Sequence, residues 1–96
     1  MTDIIVDPRF RDKIPKPTPE EYRQLEENIL SDGEIREALV VWKGKNILID
    51  GHNRWFIYQS HSSELPFPRI REQEFKDEIA AEDWMLLNQL GRRNLN

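Results

Sequence analysis

Two short apolar runs near the middle of the chain constrain its fold more than any other feature. "ALVVW" (residues 38–42) and "ILID" (residues 47–50) are separated by "KGKN" (residues 43–46). Valine and isoleucine are stiff at χ1 and suit the pleated surface of a sheet. A polar four-residue loop with a glycine suits the turn between two such runs. A buried strand, a hairpin loop and a partner strand are therefore expected over residues 38–50.

The flanking segments supply what packs on that hairpin. Ile4, Ile5 and Val6 read as a short strand, after which Pro8, Pro15, Pro17 and Pro19 keep the chain out of helix. "TPEE" is a helix start: Thr18 caps, Pro19 suits the first helical position and Glu21 completes a capping box. Tyr22, Leu25 and Ile29 recur at helical spacing and should face the core, and Gly33 stops the helix. Residues 53–60 read as a short helix, residues 69–75 as a strand of poor alternation, and residues 77–90 as a last helix. In that helix Asp77 caps, Ala80, Trp84 and Leu87 make a core stripe, and Gly91 ends it. The expected order is β-α-β-β-α-β-α, an α+β fold with a small mixed sheet and helices packed on it.

Composition narrows the function classes. With 96 residues the chain makes one small domain with a modest core. It has no cysteine, which excludes disulfides, thiolate chemistry and cysteine-ligated zinc. No apolar run approaches the roughly 20 residues of a membrane span, and no signal peptide is visible, so no membrane partner and a cytoplasmic setting are expected. The net charge of −4 is unlike that of a free-standing DNA-binding domain. Any contact with nucleic acid must be local or lie outside this stretch.

"LIDGHNRW" (residues 48–55) carries the densest chemistry. A strand that ends in glycine and opens a helix presents unpaired N–H groups at the positive end of the helix dipole, which attract anions. Gly51 permits close approach of the backbone, and Arg54 adds a fork suited to phosphate or carboxylate. The same residues also make an ordinary turn, with Asp50 and Asn53 as caps and Arg54 as a partner for Asp50. His52 reads as a structural or ligand-contacting residue rather than a metal ligand, since no His/Asp/Glu cluster stands at ligand spacing. "NQLGRRNLN" (residues 88–96) places Arg92 and Arg93 where they would suit either a polyphosphate or a helix C-terminus. Arg36 and Glu37 sit at a strand entrance, and Arg69 and Arg71 suit a charged solvent face.

In order and spacing, the helix ending at Gly33, "ALVVW", "IDGHNR" and "NQLGRRNL" resemble the N-terminal domain of ParB-type partition proteins, in the ParB/sulfiredoxin superfamily, over residues 14–95. "IDGHNR" resembles the family's "GERR" box and "NQLGRRNL" its "ENxQRxxL" segment. The resemblance implies a domain that binds CTP, or in related members ATP, with Mg²⁺, hydrolyses it slowly, and closes a homodimer on DNA. Carried over by position, Gly51, His52, Asn53 and Arg54 form the phosphate-binding turn. Arg92, preceded by Asn88 and Gln89, falls on the third box, and Glu37 and Ala38 fall at the strand entrance that meets the nucleotide. Removal of Arg54 should then abolish binding and leave the fold intact.

This sequence departs from the pattern where His52 and Asn53 replace Glu-Arg, where Trp55 and Phe56 follow, and where Ala38 replaces proline. Sulfiredoxin activity is excluded, because it needs a thiolate. The family's helix-turn-helix would begin where this chain stops, so a single domain excised from a longer protein is expected, with DNA bound by the following segment. Roles in plasmid partition or chromosome segregation follow from the resemblance only. The alternatives are a nuclease or phosphohydrolase using His52, Asp50 or Glu37, and a dimerisation adaptor with a degenerate pocket.

Overall fold

The computed structural model describes residues 4–93, and side chains as far as residue 89. The expected hairpin forms its centre. Strands β1 (Leu39–Trp42) and β2 (Ile47–Asp50) pair antiparallel, and β3 (Ile70–Gln73) adds to β1 in parallel, giving the order β2-β1-β3. The hairpin ladder carries a bulge: Val41 faces Leu48 but Val40 faces Asp50, so Ile49 is the extra residue. Bulges re-aim side chains at the ends of strands, and this one immediately precedes the turn from β2 through Gly51.

Among the described residues four helices surround the sheet: α1 (Pro8–Arg11), α2 (Pro19–Asp32), α3 (His52–Ser60) and α4 (Glu78–Arg93). Every residue of β1 is buried, because the sheet is covered on both faces. One face presents Val40, Trp42 and Ile49 to Phe10 of α1 and to Ala81 and Met85 of α4. The other presents Leu39, Val41 and Leu48 to Trp55 of α3. A separate cluster of Ile29, Ile35, Ile57 and Leu65 joins α2 to α3. The fold is α+β with a mixed sheet, as the sequence led us to expect.

Helix α2 is built as its sequence dictates. The Thr18 hydroxyl accepts from the Glu21 amide at 3.1 Å, and the Glu21 carboxylate accepts from the Thr18 amide at 2.9 Å. Gly33 closes the helix at φ 78°, a left-handed conformation that favours glycine.

Four expectations fail. The strand over Ile4–Val6 is reduced to one bridge, Ile5 to Ile47, since Asp7 and Pro8 immediately turn the chain into α1. Pro8 therefore starts a helix rather than preventing one: it sits in the first turn, where its missing N–H is not needed. The order is consequently α-α-β-β-α-β-α. In α4 the buried stripe is Ala81 and Met85, while Leu87 is 67% exposed. Trp84 does pack against this cluster, edge-on to Phe75, which packs edge-on to Trp42. Gly91 does not end α4, which continues to Arg93; a glycine within a helix costs only about 1 kcal/mol.

Candidate functional site

The turn from β2 into α3 depends on Gly51. Its φ is +98°, and a Cβ there would meet Leu39 Cδ2 at 2.5 Å and Arg54 Nη2 at 3.0 Å. Only a residue without a side chain satisfies both the conformation and the contact. Helix α3 then begins at His52 with no side-chain cap. Neither Asp50 nor Asn53 is the N-cap residue, which is Gly51. The first-turn amides lie at the positive end of the helix.

Asp50 and Arg54 pair with each other. The Arg54 guanidinium donates to Asp50 at 3.3 Å and also to Glu37. The Asp50 side chain is 2% exposed, whereas that of Glu37 is 66% exposed. The two halves of this bridge are therefore unequal. Deleting one partner of a buried ion pair costs about 3–5 kcal/mol, while an exposed pair contributes about 0–1 kcal/mol. Arg54 is thus a structural counter-ion for Asp50, with a second bond to an exchangeable carboxylate. Its removal is therefore expected to lower stability as well as to affect binding.

His52 is 4% exposed, and among the described residues neither ring nitrogen has a hydrogen-bond partner. Burial, opposed by the Asp50 charge and assisted by Arg11, lowers its pKa to about 4. The ring is therefore neutral at pH 7, with one donor and one acceptor. Its other neighbour is Phe56, at a centroid distance of 6.5 Å. His61 is differently placed, bonded to Glu26 of α2 at 2.8 Å.

Two cavities flank the start of α3, with the proline-rich residues 14–17 forming a strap between them. The smaller, of about 350 Å³, brings together Gly51, His52, Asn53, Arg54, Glu37 and Gln89. These come from the β2–α3 turn, the approach to β1, and α4. The larger, of about 810 Å³, lies against the first turns of α2 and is walled by Tyr22, Arg23, Phe56 and the strap. His52, Asn53 and Lys16 line both. Asn88 is half-buried on α4 and lines neither cavity, and the side chain of Arg92 lies outside the described residues.

The sequence reading missed the larger cavity. Tyr22 packs against the Ile29–Ile57 cluster, as its helical spacing predicts, and also walls the cavity, while the spacing of the prolines signals only a break in helix. A lysine between two prolines ("PKP") is the one local signal, because proline fixes φ on either side and holds Lys16 extended. Arg36, at the strand entrance, and Arg69, expected on a charged solvent face, serve the fold: Arg36 pairs with Asp32 at 3.4 Å, and Arg69 donates to the Arg36 carbonyl.

Among the described residues no three His, Cys, Asp or Glu side chains are placed to hold a metal ion. No described helix is long and apolar enough to cross a membrane. Comparison with protein-family models, curated proteins and solved structures finds no match to this chain.

Proposed function

We propose that this domain binds a nucleoside triphosphate, CTP or ATP, and passes its occupancy to an attached DNA-binding or dimerising segment, in the manner of ParB-type domains. The observation that carries this reading is the meeting of Gly51, His52, Asn53, Arg54, Glu37 and Gln89 on one cavity at the uncapped start of α3. Helix N-termini of this kind bind phosphate through backbone N–H groups and the dipole. The adjoining cavity, with Tyr22 and Phe56 on its walls, has room for the nucleoside. Lys16 and Arg54 bring positive charge to the phosphates.

The unequal bridge at Arg54 supplies a mechanism. A phosphate displaces the exposed Glu37 carboxylate from Arg54, while the buried Asp50 keeps the guanidinium in place. Mg²⁺ is carried on the phosphates, as such sites commonly have it, with few protein carboxylates as ligands. Closure of two copies on DNA through a following segment belongs to the same proposal.

Titration calorimetry with CTP, ATP, GTP and UTP, each with Mg²⁺, tests this directly. Selective binding of one nucleotide is the expected result, and turnover in the same samples would add the enzyme reading. Indifference to all four, together with concentration-dependent self-association, would replace it with the adaptor reading, which the internal neutralisation of Arg54 favours.

A further inference from the structure

His52 has no structural use that matches its cost. A buried polar group without a hydrogen bond destabilises a protein, and His52 leaves two ring nitrogens in that state among the described residues. A phenylalanine ring would fill similar space without the penalty. The position is also the one where the two cavities meet, at the first residue of α3.

We propose that His52 is a specificity-determining ligand contact, whose ring bonds an organic phosphate spanning both cavities. This rests on the nucleotide reading and deepens it. The neutral imidazole offers one N–H and one lone pair. A phosphate oxygen accepts the first and a hydroxyl on the adjoining sugar donates to the second. Both partners sit within one phosphorylated sugar, whereas inorganic triphosphate supplies only the acceptor. The ligand class is therefore a hydroxylated phosphate ester with an aromatic body toward Tyr22 and Phe56. Asp50 from β2 and Arg11 beyond α1's first turn are the charges that act on the ring, and they act in opposite directions.

The test uses the whole chain labelled with ¹⁵N-histidine. Long-range ¹H–¹⁵N spectra resolve the Nδ1 and Nε2 shifts of His52 and His61, with His61→Gln assigning the signals. CTP, ATP, GTP, UTP and inorganic triphosphate are added in turn, beside calorimetry of wild type and His52→Phe. The nucleotide that binds should move both ring nitrogens of His52 and leave His61 unchanged. His52→Phe should raise the melting temperature of the ligand-free protein and weaken that nucleotide roughly tenfold to hundredfold. A purely structural His52 would give the opposite sign in melting temperature.

Binding with unchanged His52 shifts, or equal affinity in His52→Phe, overturns this inference and leaves the nucleotide reading standing. Binding of inorganic triphosphate as tight as that of any nucleotide overturns the organic ligand class. Binding of none of the five probes overturns both proposals.

Discussion

Gly51 and Arg54 show how closely the candidate site and the fold share residues. Gly51→Ala forces a Cβ to 2.5 Å from Leu39 at a φ of +98°. Left-handed strain and overpacking together should lower stability by about 2–4 kcal/mol, read as a reduced urea midpoint. Arg54→Ala should lower stability by about 1–3 kcal/mol, because it removes the guanidinium that pairs with the buried Asp50 carboxylate at 3.3 Å. It is consequently a poor probe of binding, and Arg54→Ala, Asp50→Asn should recover part of the loss. These roles were half legible. "DGHNR" announces a strand-to-helix turn with a cation four residues after an acid, but only the packed structure shows that Asp50 is buried and Glu37 exposed.

The two histidines respond to pH with opposite sign. Burial lowers the His52 pKa from its ordinary 6.5 to about 4, so its folded state disfavours the proton. That stability is present above about pH 6.5 and is lost as pH falls toward 4. The bond to Glu26 raises the His61 pKa, so its contribution is present below the unfolded value and lost as pH rises through the folded one. His52→Phe should therefore gain on wild type as the solution is acidified, by about 3 kcal/mol near pH 4. Urea unfolding at pH 7 and pH 4.5 measures this, and parallel behaviour of the two proteins would contradict it.

At the scale of elements, those with local rules were the legible ones. The capping box of α2 and the β1–β2 hairpin are decided by neighbours in sequence, and both form where the pattern puts them. Thr18→Ala should cost about 1 kcal/mol through the lost cap, measured by thermal unfolding. Helix α4 is different. Stripes through residue 80 or residue 81 are both compatible with its sequence, and the partner surface of β2 and α1 selects Ala81 and Met85. Its attachment to α1 is electrostatic as well: Arg9 bonds Glu78 and Glu82, and Lys13 bonds Glu82 at 2.7 Å. Lys13 and Arg9 hold the Glu82 carboxyl below its ordinary range. A depressed carboxylate stabilises above its unfolded pKa and ceases to do so as pH falls through the folded one. Glu82→Gln should lower the melting temperature at neutral pH, with a smaller difference in high salt.

Across the whole molecule, the site lies where three separately built parts converge: the hairpin's end, the α2–α3 cluster and the proline strap. The turn belongs to one stretch of sequence and could be anticipated. The larger cavity could not, because Tyr22, Lys16 and Phe56 meet only through tertiary packing. The net charge of −4 misleads in the same way. It averages over the surface, whereas Arg11, Lys16 and Arg23 gather at the cleft beside Asp12 and Glu26. A small anion senses the local balance rather than the total.

The central claim, that phosphate binds at the start of α3, is tested most directly by calorimetry on Asn53→Asp. Asn53 is half-buried in the first turn of α3 and lines both cavities. An aspartate there suits the helix dipole and should leave stability unchanged or slightly higher. It also sets a negative charge against the phosphates. The account predicts that wild type binds one nucleoside triphosphate selectively and that Asn53→Asp, fully folded, does not. Equal binding by the two proteins would contradict it and place the ligand elsewhere on the molecule.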